Sequence, residues 1–304
     1  MKKSSFAQAE SLCEFTFLQL GKCWHLYTPE NYPVFLTDTE DFRAAMTLLA
    51  ICAVCFPSIR ILAFQWMNNH LHVCLSGPEA DVDSLFSMLK RYLGNYMKAS
   101  GRKGILDDWD YKKRPVDSLN DLRNVIAYNN RNGFLVKDEY SPYSYPWGAN
   151  RCFFNVDYAA RYSVSSRVLT ASKIRELFHT RELDGYKGMR MVDDVVCPLS
   201  FCDIGSAMKL FRNESHYFYC VSKNVESMRG IAAQIGESIS YNDDELYAIV
   251  CNICRRQYSV DKPLLLPATA KVEVARKMRY DYNSSRKQIA RILRIDPALV
   301  EQFL

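Results

Sequence analysis

An α+β fold in the first half of the chain, followed by a helical second half, is what three features of the sequence predict. Up to about Tyr140, short apolar stretches with two-residue alternation are interleaved with amphipathic segments of helical period. A proline- and aromatic-rich connector, "YSPYSYPWGANRCFF" (140–154), follows. Beyond it the apolar residues recur almost entirely at helical spacing. The expected domains are therefore residues 1–150, with strands and helices, and 151–304, with helices alone.

Each element of the first half has a local reason. "KCWHLYTP" (22–29) reads as a first strand, and "ENYPVFL" (30–36) as a loop. The helix in "DTEDFRAAMTLLAICAVCF" (38–56) has Thr37 or Thr39 as cap candidates, acidic residues in its first turn, and Pro57 to end it. "SIRILAFQWM" (58–67) and "NNHLHVCLSG" (68–77) are a second and third strand, joined at Asn68-Asn69. Gly77-Pro78 breaks the chain before a helix that carries Val82, Leu85, Phe86, Leu89, Leu93, Tyr96 and Met97 on one face. In "DYKKRPVDS" (110–118) a short fourth strand is expected at a sheet edge, because Pro115 has no N–H to donate. "SLNDLRNVIAYNNRNGFLV" (118–136) is then a helix capped by Ser118, with Asp121 three residues on, and stopped near Gly133. Leu122, Val125 and Ile126 form its apolar stripe; Asp121, Asn124, Tyr128 and Asn132 form a polar stripe beside it.

The second half offers helix-period segments at 164–181, 225–239, 242–258, 267–282 and 284–295, without internal repeat or low-complexity tract. Its end, "SSRKQIARILRIDPALVEQFL" (284–304), resembles a helix-turn-helix: Ser284 or Ser285 can cap a first helix, and Asp296-Pro297 restart the chain as a second.

Composition narrows the class. At 304 residues, 48% apolar and 24% charged, the chain has room for two ordinary cores. No window is long and apolar enough for a membrane span, and the start lacks a signal-peptide apolar run, so a cytoplasmic protein with no membrane partner is expected. Eleven cysteines, an odd number, sit mostly among apolar neighbours and read as reduced thiols. The C-x-x-C pairs Cys52/Cys55 and Cys251/Cys254 lack further ligands nearby, which argues against structural zinc.

The net charge is only +5, yet it is clustered. Lys90, Arg91, Lys98, Arg102, Lys103, Lys112, Lys113 and Arg114 face only three acidic residues in their segment; a second run, Lys271 to Arg294, includes Arg286, Lys287 and Arg291. Such clustering suits contact with a polyanion, DNA above all, although a solvated helix face explains either run alone.

The remaining signal is "FQWMNNHLHVCLSG" (64–77), which holds two of the chain's five histidines. On an extended strand His70, His72 and Cys74 share one side, and Leu71, Val73 and Leu75 the other. Three readings stand for this pair: histidines of no special role, a structural metal site, or an open divalent-metal site to which a neighbouring helix adds a ligand and a nucleophile. The last requires suitable groups downstream, and Tyr128 and Asn132, four residues apart, supply them. His25 reads as a sheet-face residue, and His179 and His216 stand alone.

Taken in order, these stretches resemble a known family. "AFQWMNNHLH" (63–72) is similar to the histidine–hydrophobic–histidine strand of HUH single-strand endonucleases, in the form typical of single-tyrosine and REP-associated tyrosine transposases (the IS200-like domain), with Asn68 where the family usually has proline. "AYNNRNG" (127–133) is similar to the catalytic helix, with Gly133 in place of proline; an alternative alignment sets Asn124 at the tyrosine's place. "SYPWGAN" (144–150) matches a stretch common shortly afterwards. The likeness spans about residues 20–150.

What the resemblance implies is specific. The fold would be a ferredoxin-like antiparallel sheet with packed helices, of HUH endonuclease type, followed by the helical domain. His70, His72 and Asn132 would hold a divalent metal, Mg²⁺ or Mn²⁺, and Tyr128 would attack a phosphodiester of single-stranded or hairpin DNA to give a 5′-phosphotyrosine. Related enzymes build the site within one chain or exchange the tyrosine helix between two, so a homodimer is among the arrangements implied. The competing reading is a domesticated, non-catalytic relative that binds nucleic acid through the same sheet; an RNA-binding module is a third, without the aromatic signature such sheets usually carry.

Overall fold

The computed structural model describes residues 2–133, 140, 141, 143–168, 170, 172, 189–222, 225–237 and 241–304. The chain forms two compact units, Met1–Asn224 and Val225–Leu304.

A four-stranded antiparallel sheet organises the first unit. Its strands are β1 (Cys23–Tyr27), β2 (Arg60–Trp66), β3 (Leu71–Ser76) and β4 (Lys112–Val116), in the spatial order β2-β3-β1-β4. Helix α1 (Lys2–Leu20) precedes β1, α2 (Thr39–Cys55) links β1 to β2, α3 (Glu79–Ala99) links β3 to β4, and α4 (Leu119–Asn132) follows. Strand, helix, two strands, helix, strand in this order is the ferredoxin-like arrangement. Pro115 lies on the edge strand β4, as its missing N–H requires.

Alternation along the strands decides what lies on each face. Lys113 and Trp24 belong to the side covered by α3, where Lys113 pairs with Glu79 and Asp83. His25 and its register partners Cys74 and Arg114 belong to the other side, and Arg114 makes a bidentate pair at 2.7 and 2.8 Å with Asp121 of α4. Helices therefore cover both faces of the sheet.

Local chemistry accounts for the helix starts. Asp38, rather than Thr37 or Thr39, caps α2 by accepting from the Asp41 N–H; Ser118 caps α4 by accepting from the Asp121 N–H. Helix α1 carries no apolar periodicity that would mark it in the sequence. It is held in place by the Glu10 carboxylate, which pairs with Arg123 at 2.6 Å and Arg212 at 3.3 Å.

The first unit extends well past residue 150, the boundary expected from composition. Segment 147–149 adds to the free edge of β2: the Trp66 N–H donates to the Trp147 carbonyl at 2.8 Å, and the Ala149 N–H to Phe64 at 3.0 Å. Cys202 forms a parallel bridge with Ile61, and the Asp203 N–H donates to the Ile61 carbonyl. An exposed β2 edge would be a pairing hazard, and these segments close it. Residues 151–224 are also not wholly helical. Alongside α5 (Val156–Ser165), α6 (Ile204–Lys209) and α7 (Glu214–Ser222) there is a small antiparallel sheet of β5 (Arg167–Val168), β6 (Arg190–Val192) and β7 (Val195–Val196), where Met189 and Val196 pack on Ala50 and Ile51 of α2. The helix expected at 164–181 thus gives way to strand at 167–168, and its stretch 173–181, with His179, lies outside the described residues.

The second unit is helical, as expected: α8 (Val225–Ile235), α9 (Asp243–Tyr258), α10 (Ala268–Asp281), α11 (Arg286–Leu293) and α12 (Pro297–Phe303). Leu246, Val250, Val274, Met278, Ile289, Leu293 and Val300 meet in its core. All eleven cysteines are free, and no described helix is long and apolar enough to cross a membrane.

One ion pair, between buried Asp41 and half-buried Arg102, ties the first-unit loops together. The Asp41 carboxylate accepts from the Thr37 N–H at 2.8 Å, the Tyr96 hydroxyl at 3.0 Å and the Arg102 guanidinium at 2.7 Å. Burial alone would raise the Asp41 pKa; the bonds from Arg102, Thr37 and Tyr96 outweigh it and hold the carboxyl well below the usual range. Asp41→Asn should therefore cost about 2 kcal/mol at neutral pH, because it removes the counter-charge of a partly buried guanidinium, which solvent screens in part. A carboxyl with depressed folded pKa stabilises above its unfolded pKa of about 3.9 and loses that contribution as pH falls below it. Thermal melts of the two proteins should thus differ most above about pH 5 and converge toward acid.

Candidate metal centre and tyrosine site

The register of β1 against β3 assembles an aromatic cluster. Tyr27 lies opposite His72 and His25 opposite Cys74, so His25 and His72 are diagonal neighbours on one face. Their rings stack with centroids 5.6 Å apart, and His70 meets His72 edge-on at 5.1 Å. Helix α4 packs over this face, against β2 and β3, and brings Tyr128 down onto it. The Tyr128 ring stands edge-on to His72 at 5.6 Å and to His25 at 6.4 Å. Thus the tyrosine and both histidines singled out in the sequence converge.

The cluster does not open to solvent as the alternation pattern suggests. His25 and His72 are 0% exposed, Tyr128 2% and His70 8%. A two-sided sheet is the reason: the histidine face, which alone could have been the solvent face, is covered by α4. Burial sets the charge state of the imidazoles. It pushes His70 down to about 4. His72 falls well below its ordinary value through burial, reinforced by His70 and His25. His25 is pushed to about 3 by burial and by Arg114, opposed by the Asn129 amide. All three are neutral at physiological pH.

For His70 the surroundings also select the tautomer. The Asn69 amide nitrogen donates to the backbone carbonyls of Glu30 and of Tyr32, the latter at 2.9 Å, which leaves its oxygen facing His70 Nδ1 at 2.7 Å. Nδ1 must then carry the proton and donate, and Nε2 keeps its lone pair. A ring nitrogen of His70 and one of His72 lie within 4.8 Å of each other. Two neutral imidazoles, one oriented through its second nitrogen by an amide, form a donor pair that fits a divalent metal.

Asn132, the expected third ligand, is half-buried in the last turn of α4. Asn129, also on α4, is fully buried, and its amide opposes the lowering of the His25 pKa. Nothing in the sequence singles out His25, Asn129 or Asn69 as site residues; only strand pairing shows that His25 meets His72. His216 stays apart, its Nδ1 accepting from the Arg212 N–H at 3.3 Å. Gly133, where the resembled family has proline, packs so tightly that a Cβ there would stand 2.3 Å from both Gln65 Nε2 and Tyr145 Cδ1.

The basic residues divide by what they already hold. Arg102 is bound to Asp41, Lys113 to Glu79 and Asp83, and Arg114 to Asp121, while Lys90 donates to the Asp107 carbonyl. Arg91, Lys98, Lys103 and Lys112 are exposed. Aromatic residues of the same segment are likewise engaged. Trp109 is fully buried against Phe35, Trp66 and Phe86, Tyr96 is bonded to Asp41, and Tyr111 to Asp83. Near the Asn68-Asn69 turn, however, a cleft of about 510 Å³ is lined by Phe42, Met67, Asn68, Tyr145 and Trp147. In the second unit Arg286 and Lys287 are exposed, and Arg291 pairs with Asp243 at 2.8 Å.

The fold and the site together describe an α+β protein with an antiparallel sheet, packed helices and a helical C-terminal region, carrying a buried histidine–tyrosine cluster. Among solved structures it is similar to a REP-associated tyrosine transposase bound to a REP hairpin, at 19% identity over 46% of this chain and 80% of that one, with a TM-score of 0.35. No protein-family model and no curated protein matches the chain.

Because His72 is fully enclosed, removing its ring should leave a cavity rather than an empty socket in an open site. His72→Ala should lower the stability of metal-free protein by about 2 kcal/mol, within the range for large-to-small core changes. Urea unfolding in the presence of chelator measures this, and an unchanged midpoint would mean that His72 is not packed as described.

Proposed function

We propose that the first unit is a metal-dependent DNA nickase and strand transferase of the HUH single-tyrosine type, acting on single-stranded or hairpin DNA. The observation that carries this reading is the convergence of Tyr128 with His70 and His72 on one sheet face. His70 and His72, with Asn132 as third protein donor, would hold the ion, Mg²⁺ or Mn²⁺, which when bound neutralises a phosphate oxygen and polarises the phosphorus. Tyr128 Oη is then the nucleophile: it forms a bond to phosphorus as the bond to the 3′ oxygen breaks, giving a 5′-phosphotyrosine and a 3′-hydroxyl. Asn69 fixes His70 in the tautomer that presents Nε2. The exposed Arg91, Lys98, Lys103 and Lys112 would contact phosphates, and the cleft lined by the mutually stacked Phe42 and Trp147 would take a base against the outer face of that pair.

A second reading has an observation of its own. The complete burial of His72 and His25, with Tyr128 nearly so, is what a non-catalytic relative would show, in which the former site has become core. Such a protein would bind nucleic acid and form no covalent bond to it.

One assay separates the two. The full chain is incubated with labelled single-stranded hairpin DNA and Mn²⁺, and a denaturing gel is read for a covalent adduct. Under the catalytic reading the adduct forms, and Tyr128→Phe abolishes it while DNA affinity stays nearly intact, since only the attacking oxygen is removed. An adduct of equal yield from the variant would assign the nucleophile elsewhere; DNA binding with no adduct from the parent protein would favour the second reading.

A further inference from the structure

The second unit carries an exposed surface that the tyrosine chemistry does not use. Helix α11 begins in a capping box between Ser285 and Gln288 and ends at Arg294, which takes the left-handed conformation, φ 52°. Three residues, Arg294 to Asp296, turn the chain; Asp296 caps α12 by accepting from the Ala298 N–H at 2.8 Å. Ile289, Ala290, Leu293 and Val300 point inward from the two helices, and α10 packs behind them. Two short helices joined by a three-residue turn and backed by a third is the helix-turn-helix arrangement.

The outer faces differ in chemistry. Ala298, Leu299, Glu301 and Gln302 are exposed on α12, which has no basic residue. Arg286 and Lys287 are exposed at the start of α11, Arg294 at the turn, and Arg276 on α10. Among the described residues no ion pair involves Arg286 or Lys287. Phosphate attraction thus belongs to α11 and the turn. Base-edge chemistry belongs to α12, where a glutamine suits adenine, a glutamate the cytosine amino group, and an alanine the thymine methyl.

We propose that α11 and α12 form a site for duplex DNA, in which Arg286, Lys287 and Arg294 engage the phosphates and α12 reads the major groove through Ala298, Glu301 and Gln302. The site is independent of Tyr128, and the test keeps the two apart. The full chain is titrated by fluorescence anisotropy with a random-sequence duplex of about two helical turns, and with a single strand of equal length, over a range of salt. A parallel selection from the duplex pool reads base preference. Arg286→Ala with Lys287→Ala should weaken duplex binding and lower the slope of log affinity against log salt by about 2, since each phosphate neutralised adds about 0.9 to it. Gln302→Ala should leave that slope unchanged and relax the selected sequence at one position. Tyr128→Phe should alter neither, and the double variant should form the covalent adduct on a single strand as the parent does. The proposal is overturned if the double variant, melting at the parent temperature, binds the duplex with the parent's slope, if a single strand competes equally, or if selection returns no preferred sequence.

Discussion

The antiparallel register between β1 and β3 is the constraint on which the site depends. Strand side chains alternate with a period of two, so once Tyr27 lies opposite His72, the side of every ring is decided. A shift of one residue would send His25 to the α2 and α3 side and bring Trp24 and Leu26 under α4. In the observed register two imidazoles of adjacent central strands lie ring against ring, and the face they share has to be covered because α4 has nowhere else to bury Leu122, Val125 and Ile126. Neutral histidines follow from that cover, since desolvation opposes the charged form.

The same packing explains an unusual property of α4, which buries the charged and amide side chains of Arg123, Asn130 and Arg131 as well as its apolar stripe. Arg123 donates to the Leu210 carbonyl at 2.6 Å, Asn130 to the Tyr217 hydroxyl at 3.0 Å, and Arg131 to the Val221 carbonyl at 3.0 Å. Each of these buried side chains meets a specific partner, as the cost of leaving it unmet demands. Those partners lie at and between α6 and α7. The placement of Tyr128 is therefore fixed from two directions, by the sheet beneath and by residues 204–222 above.

Periodicity and turn chemistry make most of the first unit legible in the sequence. The strand positions, the Asn68-Asn69 turn, the Ser118 cap, the edge position of β4 and the pairing of Tyr128 with the H-x-H strand are all readable from spacing or from the resemblance it supports. What is not readable depends on contacts distant in sequence. His25 is an ordinary strand residue until its register is known, and Asn129 is one amide among several on α4. The unit boundary is misplaced by composition because the connector at 140–154 looks like a linker, while its backbone at 147–149 is a pairing partner for β2. Helix α1 escapes a reading by periodicity because charge pairs of Glu10 with Arg123 and Arg212 anchor it, rather than a periodic apolar stripe.

Charge runs show the same limit in a form that bears on nucleic-acid contact. Eight lysines and arginines between Lys90 and Arg114 look in the sequence like one basic surface. In the fold, Asp41, Glu79, Asp83 and Asp121, none of them from that segment, reach in to neutralise Arg102, Lys113 and Arg114. A local count of charge misses these partners because acids far away in sequence are near in space. The attraction for a polyanion is then set by the residues left exposed, Arg91, Lys98, Lys103 and Lys112, and not by the run as a whole. The paired residues do a different job: Arg114 docks α4 onto β4 and so holds the tyrosine helix over the histidines. A substitution there would disturb the site through its geometry, with the field around it changed far less.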